Sequence, residues 1–106
     1  MTENAHTIQF GGLVLAPSIG DAFLDGQSLV LTRTEFRLLV LLLQSDGNVF
    51  TRKQIIEAIQ GPDYPVTDRS VDGHILYLRR KLGDYGRLIE TVRGAGYRCR
   101  KDIPQP

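Results

Sequence analysis

Cysteine, histidine and long apolar runs are all scarce in this chain of 106 residues, and each shortage excludes a class of protein. A single cysteine, Cys99, excludes an internal disulfide, and with only two histidines no Cys/His cluster can hold zinc. The longest apolar run, residues 38–43, is far shorter than the roughly 18 residues of a membrane span. The first seven residues, MTENAHT, lack the basic and apolar regions of a secretory signal. The sequence therefore predicts a cytoplasmic protein of one domain, with no metal or cofactor and no membrane contact.

A strong net charge is also missing, because 13 basic and 12 acidic residues leave only +1. The distribution of these charges is uneven along the chain. Residues 69–101 hold nine basic and three acidic residues, a net charge of +6, and the remainder holds four basic and nine acidic residues, a net charge of −5. A basic end of this size suits a polyanion such as a nucleic acid. The alternative is a chance clustering of charges on one helix and one strand.

Short apolar segments between residues 8 and 31 predict a small antiparallel sheet of three or four strands. The pair Asp25-Gly26 lies between two of these segments, and Asp-Gly favours a tight hairpin because both turn positions require a positive φ. Residues 1–7 and 102–106 are polar or contain proline. We therefore expect flexible ends on either side of one domain that covers residues 8–101.

Three helices are predicted after the sheet, and each one begins with a capping signal. The caps are Thr32 with Glu35, Thr51 with Gln54, and either Thr67 or Asp68. In the first two pairs the spacing is that of a capping box, whose side chains satisfy two backbone amides reciprocally. Residues 36–43 are apolar almost all round, which indicates a central buried helix. Gly83 follows the last apolar residue of the third helix.

The third helix has one narrow apolar stripe and a largely basic remainder. The stripe consists of Val71, Ile75, Leu78 and Leu82. The opposite face carries Arg69, Gly73, Leu76, Tyr77 and Arg80, with His74, Arg79 and Lys81 on its flanks. Such a helix suits a DNA groove, and the alternative is an ordinary surface helix with a solvated charged face.

Residues 88–100 predict a β-hairpin with a basic, glycine-rich tip, Arg93-Gly94-Ala95-Gly96. A sheet, three helices and a hairpin in this order predict an α+β winged helix-turn-helix. It would have an N-terminal antiparallel sheet, a three-helix core and a C-terminal β-hairpin wing. In that arrangement the last helix enters the major groove of DNA beside the wing.

Four segments of the chain match a known family at its own spacing. They are LTRTEFRLLVLLL (31–43), VFTRKQII (49–56), RSVDGHILYLRRKLG (69–83) and IETVRGAGYR (89–98). On these segments the chain resembles the C-terminal effector domain of OmpR/PhoB-type response regulators, the transcription factors of bacterial two-component systems. The resemblance implies sequence-specific binding to double-stranded promoter DNA, as a homodimer on direct repeats. It also implies contact between the 61–67 loop and RNA polymerase.

Members of this family usually carry a receiver domain, phosphorylated on aspartate, before the effector domain. A chain of 106 residues leaves no room for one. We therefore expect either an effector domain excised from a longer regulator or a regulator that acts alone.

The resemblance implies roles for individual residues. Six match family positions that meet DNA: Arg69, Ser70 and Arg79 at the phosphate backbone, His74 in the groove, and Thr91 and Arg93 on the wing. Of the wing pair, the threonine would touch the backbone, and the arginine would enter a minor groove about 6 Å wide. Arg52 begins a helix and is expected to contact phosphate beside the free amides, or else to lie exposed in solvent.

The centre of the third helix departs from the family. Gly73 stands where a base-contacting side chain is usual, although glycine costs a helix about 1 kcal/mol relative to alanine. Leu76 and Tyr77 replace basic or polar residues. Leu76 can pack on thymine methyls and Tyr77 can bond a phosphate, or one or both contact a neighbouring subunit. The DNA sequence that the protein reads therefore does not follow from the resemblance.

Two other functions fit the sequence less well. For an enzyme, His6 lies in the expected flexible N-terminus and His74 lacks a suitably spaced acidic partner. Gly94-Ala95-Gly96 has no following helix to make a phosphate-binding loop. The alternative function is a winged helix that binds other proteins, which Leu76 and Tyr77 favour. The clustered arginines and Arg93 favour DNA.

Overall fold

The computed structural model describes residues 7–60 and 66–102. Its elements are β1 (Ile8–Phe10), β2 (Leu13–Ala16), β3 (Asp21–Leu24), β4 (Gln27–Ser28), α1 (Arg33–Leu43), α2 (Arg52–Ile59), α3 (Asp68–Leu82), a 3-10 helix (Gly83–Leu88), β5 (Ile89–Val92) and β6 (Gly96–Cys99). This order is that of the predicted winged helix-turn-helix. The expected flexible ends lie almost wholly outside the described residues, as does most of the 61–67 loop, so these expectations stay predictions.

The N-terminal sheet is antiparallel, with its four strands in chain order. Asp25 and Gly26 have φ values of 51° and 82°, as the predicted hairpin between β3 and β4 requires. The sheet ends earlier than predicted, because only Gln27 and Ser28 form β4. The apolar residues Leu29 and Leu31 pack against the core beyond the end of that strand.

Capping boxes begin all three helices. The Thr32 hydroxyl accepts from the amide of Glu35, whose carboxylate accepts from the amide of Thr32 in return. Thr51 and Gln54 repeat this exchange at α2. The predicted start of each helix is therefore confirmed, and at α3 the cap is Thr67 and not Asp68. Loss of such a cap typically costs about 1 kcal/mol.

The core forms where α1 and α3 pack together. All four residues of the α3 apolar stripe are at most 1% exposed, and they meet buried leucines of α1 such as Leu38 and Leu42. Each fully buried Leu or Ile contributes about 2 kcal/mol relative to an exposed one. The stripe thus packs one side of α3 against the core, and the opposite side of α3 faces outward.

A buried carboxylate also joins α1 to the end of α3. The Glu35 side chain is only 4% exposed, and Lys81 Nζ donates to its Oε1 at 2.7 Å. Burial by itself would raise the pKa of Glu35. The hydrogen bonds from Lys81 and Thr32, together with the Lys81 charge, outweigh burial and hold that pKa below its usual value.

Strands β5 and β6 form the wing, which is attached to the segment before α2. Phe50 and Tyr97 exchange two backbone hydrogen bonds of 2.8 and 2.9 Å. Gly96 makes this approach possible: its φ is 153°, and a Cβ there would overlap the Phe50 carbonyl. These backbone hydrogen bonds therefore fix the position of the wing beside α2 and α3.

Candidate nucleic-acid interface

The outward side of α3 carries the residues that the sequence places opposite its apolar stripe, and we call them the α3 face: Arg69, Gly73, Leu76, Tyr77 and Arg80. Leu76 and Tyr77 are 46% and 55% exposed, which is unusual for large apolar side chains. Around Gly73 the space is open, since a Cβ there would have no neighbour within 4 Å. Packing within the described part of the chain therefore does not require this glycine.

Cations lie at both ends of the α3 face. Arg69, in the first turn of α3, is exposed. Arg80, near the C-terminal end, is also exposed, and its guanidinium lies 5.9 Å from the centre of the Tyr77 ring. This cation–π contact holds the arginine against the helix.

The wing tip is exposed and basic, as the sequence predicts. Arg93 follows β5 directly and is exposed, and Gly94 turns the chain with a φ of 77°. A backbone hydrogen bond of 2.9 Å from Ala95 to the carbonyl of Val92 closes the turn. Little bulk therefore surrounds the Arg93 side chain.

Arg79 points inward and ties α3 to β5. Its guanidinium donates to the carbonyl of Ile89 from Nη2 at 2.8 Å and from Nε at 3.2 Å, and Nη2 also reaches the Thr91 hydroxyl at 2.9 Å. Resemblance to the family implies a phosphate contact for Arg79 and a backbone contact for Thr91. These contacts stay predictions, whereas the structure gives both side chains a role in holding the wing.

Ser70 and His74 lie on the flank of α3 and are both half-buried. The Ser70 hydroxyl accepts from the amide of Thr67 and donates to its carbonyl, both at 2.8 Å. This hydroxyl therefore completes the helix cap, a use that the sequence analysis missed because it looked only for Glu or Gln at that position. The DNA contacts expected of Ser70 and His74 remain predictions.

Arg52 is 43% exposed, as the second of the two sequence-based alternatives expects, but it is also paired within a cluster that neither alternative describes. Asp72 Oδ1 accepts from Arg52 Nε at 2.8 Å and from the Tyr97 hydroxyl at 2.5 Å. Two guanidinium groups lie near the Tyr97 ring, that of Arg52 at 5.6 Å from its centre and that of Arg79 at 5.9 Å. We call Arg52, Asp72, Arg79 and Tyr97 the Tyr97 cluster.

Electrostatics inside the Tyr97 cluster follow from these contacts. The hydrogen bonds from Tyr97 and Arg52 hold the pKa of Asp72 below its usual value. Burial, together with the bond to Asp72, raises the pKa of the Tyr97 hydroxyl, which stays protonated and can donate. No sequence pattern reveals this cluster, since Arg52 and Tyr97 lie 20 and 25 residues from Asp72.

Part of the basic charge near the C-terminus is neutralised on the wing. Glu90 pairs with Arg98 and, at 3.3 Å, with Arg100, which also pairs with Asp102 at 2.8 Å. Lys81 is bound to Glu35, as described above. On the α3 face and at the wing tip, Arg69, Arg80 and Arg93 remain as exposed cations.

Other kinds of site find little support. Within residues 7–60 and 66–102, no group of three His, Cys, Asp or Glu side chains is close enough to hold a metal ion. None of the helices described there is long and apolar enough to cross a membrane. Cys99 is buried, and burial raises the pKa of its thiol, which opposes formation of a reactive thiolate.

Comparison with known proteins identifies the family. Residues 26–99 match the family model described as "Transcriptional regulatory protein, C terminal". The chain belongs to this family of OmpR/PhoB-type effector domains. Among curated members of the family, VxrB of Vibrio cholerae is 42% identical over 88 residues, which are 83% of this chain and 35% of VxrB. PhoB of Pseudomonas aeruginosa is 39% identical over 97 residues, which are 91% of this chain and 42% of PhoB.

This family also accounts for the fold. The RstA DNA-binding domain of Klebsiella pneumoniae, solved in complex with the RstA box, superposes with a TM-score of 0.76 at 34% identity, covering 90% of this chain and 97% of that domain. The DNA-binding domain of CpxR from E. coli has the same TM-score at 41% identity, with coverages of 90% and 96%. The predicted winged helix-turn-helix is thereby confirmed. The chain spans less than half the length of the curated relatives named above.

Proposed function

We propose that this domain regulates transcription by sequence-specific binding to double-stranded DNA, with α3 in the major groove and the wing tip in the minor groove. The observation that carries this proposal is the position of the exposed cations. Arg69 and Arg80 lie at the two ends of an outward helix face, and Arg93 lies at the tip of a hairpin tied to the same helix. Relatives at 34% identity and above include a domain solved in complex with its DNA site.

The exposed arginines have the chemistry for two kinds of DNA contact. Arg69 and Arg80 suit the phosphates on either side of the major groove, since each is a solvated cation beyond the apolar centre of α3. Arg93 suits the minor groove, because an exposed arginine beside a glycine turn has room to enter it. Arg52, Ser70 and Arg79 act mainly behind the interface, through their contacts with Asp72, Thr67 and the wing.

The centre of the α3 face suits an apolar partner in the groove. Leu76 is exposed and aliphatic. Gly73, on the same face, has no Cβ, so that a base edge can approach the backbone of α3 there. The apolar group that DNA presents in the major groove is the C5-methyl of thymine. We therefore propose that Leu76 reads thymine, with Tyr77 donating its hydroxyl to a nearby phosphate.

Removal of that methyl group tests this proposal. After selection of bound genomic fragments, each thymine of the recovered site is replaced by deoxyuridine, which differs only by the methyl. We expect about fourfold weaker binding at the thymine that Leu76 contacts, the effect of roughly one buried methyl group. Leu76→Ala should bind the two DNAs alike, whereas the control Val30→Ala, at another exposed apolar residue, should discriminate as the parent does.

Two outcomes would contradict the proposal. If deoxyuridine has no effect at any position, Leu76 does not read thymine. If the domain shows no salt-dependent binding to DNA at all, the alternative function, a winged helix that binds proteins, gains support. The exposed Leu76 and Tyr77 are the observation that favours this alternative.

Further features of the whole regulator are proposed on family membership. They are a cytoplasmic location, a receiver domain in the longer protein, binding as a homodimer to direct repeats, and contact with RNA polymerase through the 61–67 loop. Residues 61–65 of that loop lie outside the described part of the chain. The spacing of repeats in selected genomic fragments tests the homodimer, since a single copy of the site would contradict it.

A further inference from the structure

We propose that the Tyr97 hydroxyl is a positioning group that holds the wing to α3, so that Arg93 and the α3 face bind DNA as one unit. The proposal rests on the function proposed above. It assigns a role to Tyr97 and Asp72, which the sequence analysis did not place in the binding site. Neither side chain needs to touch DNA in this role.

Tyr97 joins three parts of the structure. Its backbone exchanges two hydrogen bonds with Phe50, just before α2. The residue is 5% exposed, and its ring contacts the guanidinium groups of Arg52 and Arg79. At its end the hydroxyl donates to Asp72 on α3 at 2.5 Å. A residue of the wing thus reaches the N-terminal half of the helix that carries the α3 face.

A second tie holds the other strand of the wing. Arg79, in the C-terminal half of α3, donates to the Ile89 carbonyl and the Thr91 hydroxyl of β5. Each strand of the hairpin is therefore bonded to α3 by a polar side chain, β5 through Arg79 and β6 through Tyr97. Arg93 lies on the turn between these two attached strands.

These ties matter because an isolated two-stranded hairpin is at best marginally stable in water. A wing that swings relative to α3 must lose that freedom each time it binds DNA, and this loss weakens the contact. A wing already held at the correct angle avoids it. Loss of the Tyr97 hydroxyl should therefore weaken binding through Arg93, although the hydroxyl lies at α3.

A double-mutant cycle between Tyr97→Phe and Arg93→Ala tests this coupling. Phenylalanine keeps the ring that contacts the two arginines and removes only the hydroxyl. We expect Tyr97→Phe to weaken binding to the selected site by roughly threefold to thirtyfold, which lies inside the range of about twofold to 150-fold for coupled residues. In the Arg93→Ala background the same change should cost less than about twofold, because the wing contact is already lost.

Tyr85→Phe is the matched control. The Tyr85 hydroxyl accepts from the amide of Gly12 at 2.7 Å and joins the 3-10 helix to the N-terminal sheet, not the wing to α3. Its removal deletes one partly buried hydrogen bond, as Tyr97→Phe does. We expect Tyr85→Phe to lower thermal stability without any coupling to Arg93.

Asp72 supplies a second pair of variants that leave Tyr97 intact. Asp72→Ala removes the acceptor of the Tyr97 hydroxyl. It should therefore abolish the coupling between DNA binding by Arg93 and DNA binding by the α3 face. Asp72→Asn keeps an acceptor oxygen for the hydroxyl and should restore that coupling. Any general change in affinity from the lost negative charge is the same with and without Arg93, so it cancels in the cycle.

The outcomes separate this proposal from the function on which it rests. Equal effects of Tyr97→Phe in both backgrounds, with Arg93→Ala weakening binding by itself, would overturn the positioning role and leave DNA binding intact. A neutral Arg93→Ala would overturn both the wing contact and the positioning role. A parent domain that does not bind the selected DNA would overturn the proposed function itself.

Discussion

Arg79 and Arg80 are neighbours in sequence with the same charge, and the structure predicts different consequences when each is replaced by alanine. The Arg79 guanidinium is half-buried and makes three hydrogen bonds to β5. Arg80 is exposed, and its guanidinium lies over the ring of Tyr77. We expect Arg79→Ala to reduce stability and Arg80→Ala to reduce mainly DNA binding.

The size of the stability effect follows from the bonds that are lost. Hydrogen bonds from a charged donor contribute about 1.5 to 3 kcal/mol each, and solvent near a half-buried side chain reduces that value. Loss of the Arg79 bonds also leaves the Ile89 carbonyl without this donor. We therefore expect Arg79→Ala to lower the free energy of unfolding by about 2 kcal/mol and the Tm by about 10 °C. Arg80→Ala should change stability little, as exposed surface substitutions usually do.

Urea unfolding gives the stabilities, and DNA titrations from about 50 to 200 mM salt give the number of phosphate contacts. The salt slope should fall by about one for Arg80→Ala, the value for one lost phosphate. For Arg79→Ala, measured well below its Tm, the slope should change less than for Arg80→Ala. Equal stabilities for the two variants would refute the role given to Arg79. An equal fall in the salt slope for both variants would support the phosphate contact that the resemblance implies for Arg79.

Two further predictions concern α1 and the centre of α3. The folded pKa of Glu35 is below its ordinary value of 4.5, so its stabilising effect is complete above that pH and is lost as pH falls. Lys81→Met should lower the free energy of unfolding by about 1 kcal/mol at pH 7, and urea unfolding between pH 3 and 7 should show a weaker dependence of that free energy on pH. Parallel curves of stability against pH for the parent and the variant would contradict this. Gly73→Ala should stabilise the helix by about 1 kcal/mol and weaken DNA binding; unchanged binding would show that DNA does not approach the glycine closely.

Local features of the fold are the ones that the sequence predicted well. The Asp25-Gly26 turn and the caps at Thr32 and Thr51 depend on residues at most three positions apart, and all are confirmed. The buried stripe of α3 is also confirmed, because helical spacing alone brings its residues to one side. The end of β4 at Ser28 was missed, since the apolar residues 29–31 continue the pattern of a strand although only the Leu29 amide still bonds to β3, at the carbonyl of Ala22.

The site residues also divide into those that local sequence predicts and those that meet only through tertiary packing. The exposure of Leu76, Tyr77 and Arg93 follows from helix periodicity and from a glycine-rich turn, and both can be read from sequence. Arg52, Asp72 and Tyr97 meet only because α2, α3 and the wing pack together, across separations of 20 and 25 residues. No pattern within one segment predicts such a contact.

The sequence by itself determined where each helix begins, which side of α3 is buried, and which side is left for a partner. These properties depend on near neighbours in the chain, whose geometry is set by the backbone. Only the tertiary structure decided what each arginine contacts. Helix periodicity places Arg80 opposite the apolar stripe and Arg79 on its flank, but it does not show that Arg79 bonds to β5. That contact forms because the wing, a distant part of the chain, packs beside α3, whereas Arg80 stays exposed to solvent.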